Sequence, residues 1–317
     1  MLEGSEVDVD LDDHRPASRL QTAALLALVG LPLLVLVAVL AQRTWYPTGD
    51  LAQAEMRMRS IPRNPPLVGA AGRIVDAEGR QGNHPGPLMF WATWPLYALL
   101  GRSAWAFEAA TTMVNLAWLC LAAWIVRRRA GLAVAGWWAA VALVLIGGFG
   151  LDALSQPWNP WVALLPFAAL ILIAWRSLDG WVWAPVWAAA AGSYAIQGHV
   201  GYGPVALPLV AISVVAPVVV AQRQRRGALG ADQVGPPDGT DLPDGSGGPS
   251  RTSIGPVAAV ALSVLAALVC WSGPIWDVLT RDPSNARKLL DNFGHPSEPP
   301  LGLAEGARTF LRGIHPF

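Results

Sequence analysis

Charged residues are scarce in this chain. Of its 317 residues, 14% are charged, against about 25% in an average soluble domain. Positive and negative charges balance to zero, so there is no overall positive field that would attract nucleic acid. Hydrophobic residues make up 53% of the chain, and the mean hydropathy is +0.40. This composition argues against a soluble domain and against a nucleic-acid partner, and it predicts a membrane protein with several spans.

Cysteine is also scarce, with two in the whole chain. Cys120 and Cys270 both fall in apolar runs, which is typical of small buried hydrophobic residues rather than of a disulfide or a metal pair. Histidines and carboxylates lack the spacing of metal ligands, so we expect no metal site. A glycine-rich phosphate loop and a serine-nucleophile turn are missing too. The common soluble nucleotide-binding and serine-hydrolase chemistries are therefore excluded.

The beginning of the chain lacks the positive charge of a secretion signal. The first thirteen residues are acidic instead, and the apolar run that follows is long enough for a full span. His14, Arg15 and Arg19 stand just before that run, which favours an uncleaved anchor with the N-terminus in the cytoplasm. We therefore expect a cytoplasmic tail at 1–19 and a multi-pass protein of the cell membrane.

What the chain has in abundance is long apolar sequence. The fold class that it predicts is all-α, a polytopic membrane protein with about seven transmembrane helices plus one re-entrant or interfacial segment. The predicted spans are 22–41, 104–126, 131–150, 160–175, 181–197, 204–221 and 254–272. The additional run Pro87–Leu100 is short and carries two prolines, so we interpret it as the segment that does not cross. That interpretation leaves the arginine clusters at 127–129 and 223–226 in the cytoplasm, as the positive-inside rule favours.

These spans predict how the chain is organised after its tail. Residues 20–221 form a transmembrane module with a large external loop at 43–103. A stretch rich in glycine, proline and aspartate, 222–253, is predicted to be a disordered cytoplasmic linker. The span 254–272 follows it, and residues 273–317 are predicted to lie outside.

The first external loop carries two acids close to the membrane. Thr48 is suited to cap a short helix that begins near Gly49, which places Asp50 in its first turn. As structural residues, Asp50 would complement the helix dipole and Glu55 would pair with Arg59 four positions on. As functional residues, Asp50 would be a catalytic base and Glu55 a second catalytic group that supports it. The apolar chain around this loop favours the functional interpretation of Asp50.

Further polar candidates lie in loops on the same side. The loop is basic through five arginines, Arg57, Arg59, Arg63, Arg73 and Arg80. The forked guanidinium of arginine binds phosphate, and Arg57 and Arg59 are the preferred candidates. His84 precedes a proline, so it is either a turn residue or a donor-binding residue. Polar groups at the mouth of apolar helices usually line a cavity, and tryptophan there either stacks on a sugar or forms an interfacial corner. The candidate substrate-binding residues are Trp158, Asn159, Gln197, His199 and Tyr202.

The order of these features resembles a known family. A first span is followed by an acid in a large external loop, then by HPGPLMFW at 84–91, LLGR at 99–102 and a second span. Over about residues 20–130 this resembles the GT-C superfamily of polyprenyl-phosphate-sugar-dependent membrane glycosyltransferases. The closest branch is that of the protein O-mannosyltransferases and aminoarabinose transferases. PWNP at 157–160 and QGHVGY at 197–202 look like an actinobacterial subgroup of such proteins.

The resemblance implies a GT-C-like fold and an inverting transfer in which Asp50 matches the family's external base. It implies a polyprenyl-phosphate-linked sugar as donor substrate, with no further cofactor certain. The implied partners are the lipid bilayer, the lipid-linked donor and a glycan, lipid or protein acceptor. The chain departs from the family pattern at three places. Leu51 stands where the family often has a second acid directly after the first, and His84 stands where it often has a lysine. Phe107 and Glu108 stand where the family commonly has an arginine early in the second span. Family members are longer, so we expect a truncated piece of a longer protein.

Two other functions stay open. The main alternative is a non-enzymatic membrane transporter, or a polysaccharide-export or flippase subunit, and a truncated inactive relative is the third. Transporters usually carry charges at mid-membrane in paired broken helices. The predicted spans here are nearly free of charge apart from Glu108, and the polar candidates cluster on one side. This distribution favours the enzyme.

Overall fold

Helices make up most of the structure, which confirms the prediction of a mainly α-helical chain. The computed structural model describes residues 16–232, 254–295 and 302–314. Its helices are α1 (Pro16–Leu40), α2 (Gly49–Ser60), α3 (Leu88–Leu99), α4 (Ala104–Phe149), α5 (Asp152–Ser155), α6 (Asn159–Val162), α7 (Leu164–Ser177), α8 (Ala184–Gly198), α9 (Gly203–Asp232), α10 (Pro256–Thr280), α11 (Asn285–Gly294) and α12 (Gly302–Ile314). A 3₁₀ turn, Val200–Tyr202, joins α8 to α9. The strands β1 (Ala71–Val75) and β2 (Gln81–Asn83) pair antiparallel.

Five of the described helical segments are long and apolar enough to cross a membrane. They are Arg19–Leu40, Ala104–Phe149, Asn159–Ser177, Val200–Arg226 and Pro256–Thr280. A helix satisfies its backbone hydrogen bonds internally, which a segment in lipid must do. Large apolar side chains also stay exposed along these segments, as with Trp137 and Val257, and an extended exposed apolar surface is typical of contact with a membrane.

Helix α4 reverses direction at Gly131. This glycine has φ 81° and ψ 180°, a conformation that residues with side chains rarely adopt. Leu119 before the reversal and Ile146 after it line one apolar cavity of about 190 Å³. The Asn115 amide donates to the carbonyl of Leu154, beyond the end of α4, at 2.8 Å. The two halves of α4 therefore run antiparallel, side by side.

The remaining predicted boundaries match the helices to different degrees. The spans expected at 104–126 and 131–150 fall in the two halves of α4. The span expected at 181–197 becomes α8, whose 15 residues are fewer than the roughly 17 that a crossing helix needs. The disordered linker expected at 222–253 is wrong for residues 222–232, because α9 continues to Asp232. Residues 233–253 lie outside the described residues, as does most of the predicted tail.

The two ends of the helical bundle hold different helix termini. The Trp105 indole, at the start of α4, donates to the carbonyl of Val37 near the end of α1 at 3.1 Å. Gln197, near the end of α8, donates to the carbonyl of Cys270 in the C-terminal half of α10 at 2.8 Å. We call this the cavity end, and we call the other end, with Gly131 and the last turn of α7, the opposite end.

Both termini of α3 lie at the cavity end. The Leu88 N–H donates to Oε1 of Gln197 at 3.3 Å. The Tyr97 hydroxyl donates to the carbonyl of Arg102, just before α4, at 3.0 Å. The Tyr97 ring also meets Phe107, in the first turn of α4, edge to face. Helix α3 thus stays at one end of the bundle.

The sheet is fastened to the cavity end by the C-terminal helices. The Asn285 amide accepts a hydrogen bond from the Asn83 N–H at 2.8 Å and donates to the Asn83 carbonyl at 3.0 Å. It therefore bonds β2 as a residue of a third strand would. The buried Asp277 accepts a bond from the Asn285 N–H at 2.7 Å. The end of α10 thereby fixes the sheet over the bundle.

Candidate active site

A polar cavity of about 820 Å³ opens at the cavity end. Its walls come from α2, the two strands, the turn between α5 and α6, the 3₁₀ turn and α11. The lining residues are Asp50, Gln53, Ala71, Gly72, Arg73, Ile74, Gln81, His84, Trp158, Asn159, Pro160, His199, Val200 and Phe293. Segments far apart in sequence thus bring polar side chains to one space, and its volume is typical of small-molecule sites.

Asp50 lies in the first turn of α2, as its sequence context predicts. The helix begins at Gly49, whose φ of 56° turns the chain into it. Thr48 precedes the helix but makes no side-chain capping bond to it. Asp50 is exposed in the cavity wall, and its Oδ2 accepts a hydrogen bond from the Trp158 indole at 3.3 Å. Within the described ranges Oδ1 has no partner, so this oxygen is available to a ligand.

His84 is buried in the cavity wall and is held at both ring nitrogens. The Val200 N–H donates to Nδ1 at 3.3 Å, so the neutral ring carries its proton on Nε2. The side-chain nitrogen of Asn159, Nδ2, lies 2.6 Å from Nε2. Because two donors cannot bond to each other, we assign the amide the reverse orientation, in which its oxygen accepts that proton. Burial, with His199 beside it, lowers the pKa of His84 to about 4. At neutral pH His84 is therefore uncharged, with both nitrogens engaged.

His199, unlike His84, has a ring N–H without a partner among the described residues. The Gly201 N–H donates to Nδ1 of His199 at 3.2 Å, which leaves the ring proton on Nε2. Burial lowers the pKa of His199, so this ring is also neutral at pH 7. No described residue accepts a bond from Nε2, and the ring lines the cavity. The Nε2–H is thus available to donate to a ligand oxygen.

Arg73 brings a positive charge into the cavity. It is one of the five loop arginines that the sequence offered for phosphate, but Arg57 and Arg59 were preferred to it. It stands on β1, and no acidic side chain in the described part of the chain pairs with it. An unpaired guanidinium in a polar cavity suits an anionic ligand such as a phosphate. The sequence gives no sign of this, because Arg73 is one of several arginines in the same loop. Only the pairing of β1 with β2 places it at the cavity.

Arg57 lies behind the cavity wall. Its guanidinium donates to the Gly69 carbonyl and, at 3.0 Å, to Oδ1 of Asn83. Burial, and then the charge of Arg281, lowers the pKa of Arg57. It borders a small adjoining space that Asp50 also lines. Arg57 therefore fastens α2 to the sheet, with one donor of each terminal nitrogen bonded to the protein.

Glu55 and Arg59 pair with each other away from the cavity. Their closest oxygen and nitrogen are 2.6 Å apart, and Glu55 is buried. The hydrogen bonds that Arg59 donates to the Glu55 carboxylate raise the pKa of Arg59. Neither residue lines the cavity. The pair follows from their spacing of four positions in a helix, so the structure places Glu55 as the structural interpretation expects.

The five candidates for substrate binding divide into two groups. Trp158, Asn159 and His199 line the cavity. Tyr202 lies behind His199, with its ring edge-on to Phe167 at a centre distance of 5.1 Å. Tyr202 therefore supports the wall without facing a ligand.

Gln197 is a fully buried brace between three helices. Its Nε2 donates to α10 through Cys270, and its Oε1 accepts a bond from the Leu88 N–H at the start of α3. A Cβ added at Gly86 would collide with the Gln197 carboxamide. The glycine in the segment that the sequence singled out is therefore needed for close packing, and Gln197 holds α3 against α8 and α10.

Comparison with known proteins identifies no relative. No protein-family model, curated protein or solved structure matches the chain. Among residues 16–232, 254–295 and 302–314, no group of three or more histidines, cysteines or carboxylates is arranged to hold a metal ion. The function must therefore be inferred from the chemistry of the cavity itself.

Proposed function

We propose that this chain is an integral membrane glycosyltransferase of the GT-C type. It moves a sugar from a polyprenyl-phosphate donor to an acceptor hydroxyl outside the cytoplasm. One observation carries the proposal: four different groups converge on one cavity at the end of an apolar bundle. They are a carboxylate, an arginine, an indole and a neutral imidazole, from Asp50, Arg73, Trp158 and His199. Among the described residues, one oxygen of the carboxylate has no partner and the arginine has no acidic partner. This set suits a ligand with hydroxyls, a sugar ring and a phosphate.

The proposal includes seven membrane crossings. The two halves of α4 count as separate crossings because the helix reverses at Gly131, and α8 supplies a short one. With a cytoplasmic N-terminus, the cavity end lies outside, because the chain reaches that end after the first crossing, α1, and after every second crossing that follows. The arginines at 127–129 then lie inside, as the positive-inside rule favours. The phosphate and sugar of a lipid-linked donor in the outer leaflet lie at the membrane surface, which is the level of the cavity in this topology.

In this proposal Asp50 is the general base. Its Oδ1 takes the proton of the acceptor hydroxyl while that oxygen attacks the anomeric carbon of the sugar. The bond from this carbon to the phosphate oxygen breaks, and polyprenyl phosphate leaves with the bonding electrons. Arg73 balances the negative charge of the leaving phosphate. Because the attack comes from the side opposite the leaving group, the anomeric centre is inverted.

The other cavity residues bind rather than react. The Nε2–H of His199 donates to a sugar hydroxyl or a phosphate oxygen, and the Trp158 ring offers an apolar face to the sugar. The phosphate is assigned to Arg73 rather than to Arg57, Arg59 or His84. Arg57 is bonded to the sheet, Arg59 is paired with an acid and His84 is neutral.

Purified protein in vesicles tests the proposal directly. The vesicles contain polyprenyl-phosphate-linked sugars, and acceptors are added on both sides. Asp50→Asn keeps the size of the side chain and removes the base, so transfer falls by about 10²–10⁴-fold with unchanged thermal unfolding. Asp282→Asn is the matched control, since its side chain is 90% exposed and lies outside the cavity. This control is expected to transfer sugar at the wild-type rate.

Three results decide between the functions. Transfer with inverted anomeric configuration that depends on Asp50 supports the enzyme. Transfer that survives Asp50→Asn removes the main support for it. Movement of a solute or of the intact lipid-linked sugar across the vesicle membrane, without transfer, favours the transporter or flippase subunit.

A further inference from the structure

We propose that the turn between α5 and α6, residues 156–160, positions the reactive groups of the cavity. Trp158 orients Asp50, and Asn159 holds His84. The part that concerns Asp50 rests on the proposed transferase function, whereas the part that concerns His84 does not. Because Trp158 and Asn159 are consecutive, one turn sets the distance between Asp50 and His84.

Trp158 constrains Asp50 through one oxygen. The indole N–H donates to Oδ2 at 3.3 Å, and Oδ1 has no partner among the described residues. An exposed aspartate otherwise samples several side-chain rotamers. The bond selects one orientation and leaves a single oxygen for the acceptor hydroxyl. A base held in this way needs less ordering to reach the geometry of reaction.

The turn is stiff enough for this role. Pro157 and Pro160 fix φ on either side of the pair. The Trp158 ring meets Trp161 edge to face at a centre distance of 5.0 Å. Asn159 is buried and begins α6. The side chains of the turn therefore project from a braced backbone.

Asn159 acts on His84 by holding one tautomer. The side-chain nitrogen of Asn159 lies 2.6 Å from Nε2. Turning the amide puts its oxygen at this position to accept the Nε2 proton, while the Val200 N–H donates to Nδ1. The imidazole is thereby held in one orientation. The ring of His199 packs on it at a centre distance of 4.7 Å, so Asn159 also limits where the free Nε2–H of His199 can lie.

A kinetic measurement tests the Trp158 contact. Trp158→Phe keeps an aromatic ring and removes the N–H. We expect kcat to fall about tenfold, as for one lost hydrogen bond to a charged group, with the KM for the lipid-linked donor unchanged. Trp276→Phe is the matched control, because it removes the indole N–H of an exposed tryptophan outside the cavity, and it is expected to leave kcat unchanged. A raised KM with unchanged kcat would overturn the positioning role and make Trp158 only a binding surface.

A labelling measurement tests the Asn159 contact without any activity assay. Diethyl pyrocarbonate modifies histidines, and mass spectrometry reports each site. In Asn159→Ala we expect His84 to react about tenfold faster than in the wild type, because one hydrogen bond that holds the ring is lost. Asn159→Asp keeps an oxygen that accepts the Nε2 proton, so it is expected to restore protection. The exposed His295 serves as the reference site in each sample.

The labelling outcomes are decisive for His84. An unchanged His84 rate in Asn159→Ala would overturn the contact. Equal loss of protection in Asn159→Ala and Asn159→Asp would overturn the assigned tautomer. Elution as a single species and wild-type thermal unfolding exclude general misfolding as the cause of faster labelling.

The two measurements also separate this inference from the proposed function. If the wild-type protein transfers no sugar, the proposed function fails, and the labelling still decides whether Asn159 holds His84. If the wild type transfers sugar and both Trp158→Phe and Asn159→Ala behave like it, the turn has no positioning role and the proposed function stands.

Discussion

The two ends of the helical bundle use their charged residues differently. At the opposite end, Arg129 pairs with Asp179 at 2.9 Å and lies over the ring of Trp175 at 4.1 Å. The groove there, about 490 Å³, is lined by apolar residues of α9, by Leu178 just after α7 and by Arg223. At the cavity end, Arg73 has no acidic partner in the described residues and borders about 820 Å³ of space with polar walls.

This difference indicates what the charges at each end are for. An arginine paired with an acid and stacked on tryptophan anchors a helix end at the membrane boundary. A carboxylate and an arginine that face one cavity without pairing keep their hydrogen-bonding capacity for a ligand. Substitutions of the charged and titratable residues that line the cavity are therefore expected to change function or the response to pH. Substitution of the ion-paired Arg129 at the opposite end is expected to change neither.

The largest expected effect is acid destabilisation through His84. Its pKa in the folded protein is lowered to about 4, whereas histidine in an unfolded chain titrates near 6.5. Between these values the unfolded state binds a proton that the folded state does not. Stability therefore falls as the pH decreases from about 6.5 to about 4, by about 3 kcal/mol. The lowered pKa of His199 acts in the same direction. Thermal unfolding in detergent at stepped pH measures the slope.

Two variants show where this slope comes from. His84→Gln removes the buried titration, so its stability is expected to vary less with pH in the same window. His295→Gln replaces an exposed histidine and is expected to reproduce the wild-type curve. If His84→Gln were as sensitive to acid as the wild type, the destabilising protons would bind to other groups, and His84 would not be the cause of the acid sensitivity.

Arg73→Gln is expected to have the next largest effect, on donor binding. Losing a charged hydrogen bond to phosphate raises the KM for the lipid-linked sugar by about 10–100-fold. Arg63→Gln is the matched control, because Arg63 is an exposed arginine of the same segment between α1 and α3 and does not line the cavity. A donor KM that stays at the wild-type value in Arg73→Gln would place the phosphate elsewhere.

Asn285→Ala is expected to lower stability without touching a ligand. The change leaves the backbone N–H and carbonyl of Asn83 without their partner, which costs about 1–3 kcal/mol of unfolding free energy. Asn292→Ala removes one exposed bond, to the Val75 N–H at 3.1 Å, and is expected to have a smaller effect. Equal melting temperatures for the two variants would show that α11 does not brace the sheet through Asn285.

The smallest expected effect is at the opposite end. Arg129→Gln breaks a partly exposed ion pair with Asp179, which is worth about 1 kcal/mol or less. Sugar transfer is expected to stay at the wild-type rate. A loss of transfer comparable to that of Arg73→Gln would remove the distinction between the two ends.

The sequence predicted the features that depend on neighbouring residues. Long apolar runs predicted the helices of the bundle. The start of α2 near Gly49, with Asp50 in its first turn, followed from local helix-capping patterns, although Thr48 makes no capping bond. The pair of Glu55 and Arg59 followed from the spacing of one helical turn. Each of these depends on residues only a few positions apart.

The features that the sequence did not reveal depend on contacts between distant segments. Arg73 reaches the cavity because β1 pairs with β2, and Asn285 bonds Asn83 across 202 positions. His84 resembled a phosphate ligand in sequence, but the structure engages both of its nitrogens through Asn159 and a backbone N–H. No local pattern carries this information, because each partner acquires its role only when the bundle and the sheet have assembled.

The most direct test of the central claim is to map where the donor binds. A polyprenyl-phosphate sugar with a photoreactive diazirine on the sugar is crosslinked to the protein in vesicles, and mass spectrometry locates the label. The account predicts labels in the segments 71–84 and 158–160, competed by unmodified donor and weakened in Arg73→Gln. Labels confined to the groove at the opposite end, around Val215 and Arg223, or labels that unmodified donor does not displace, would contradict it.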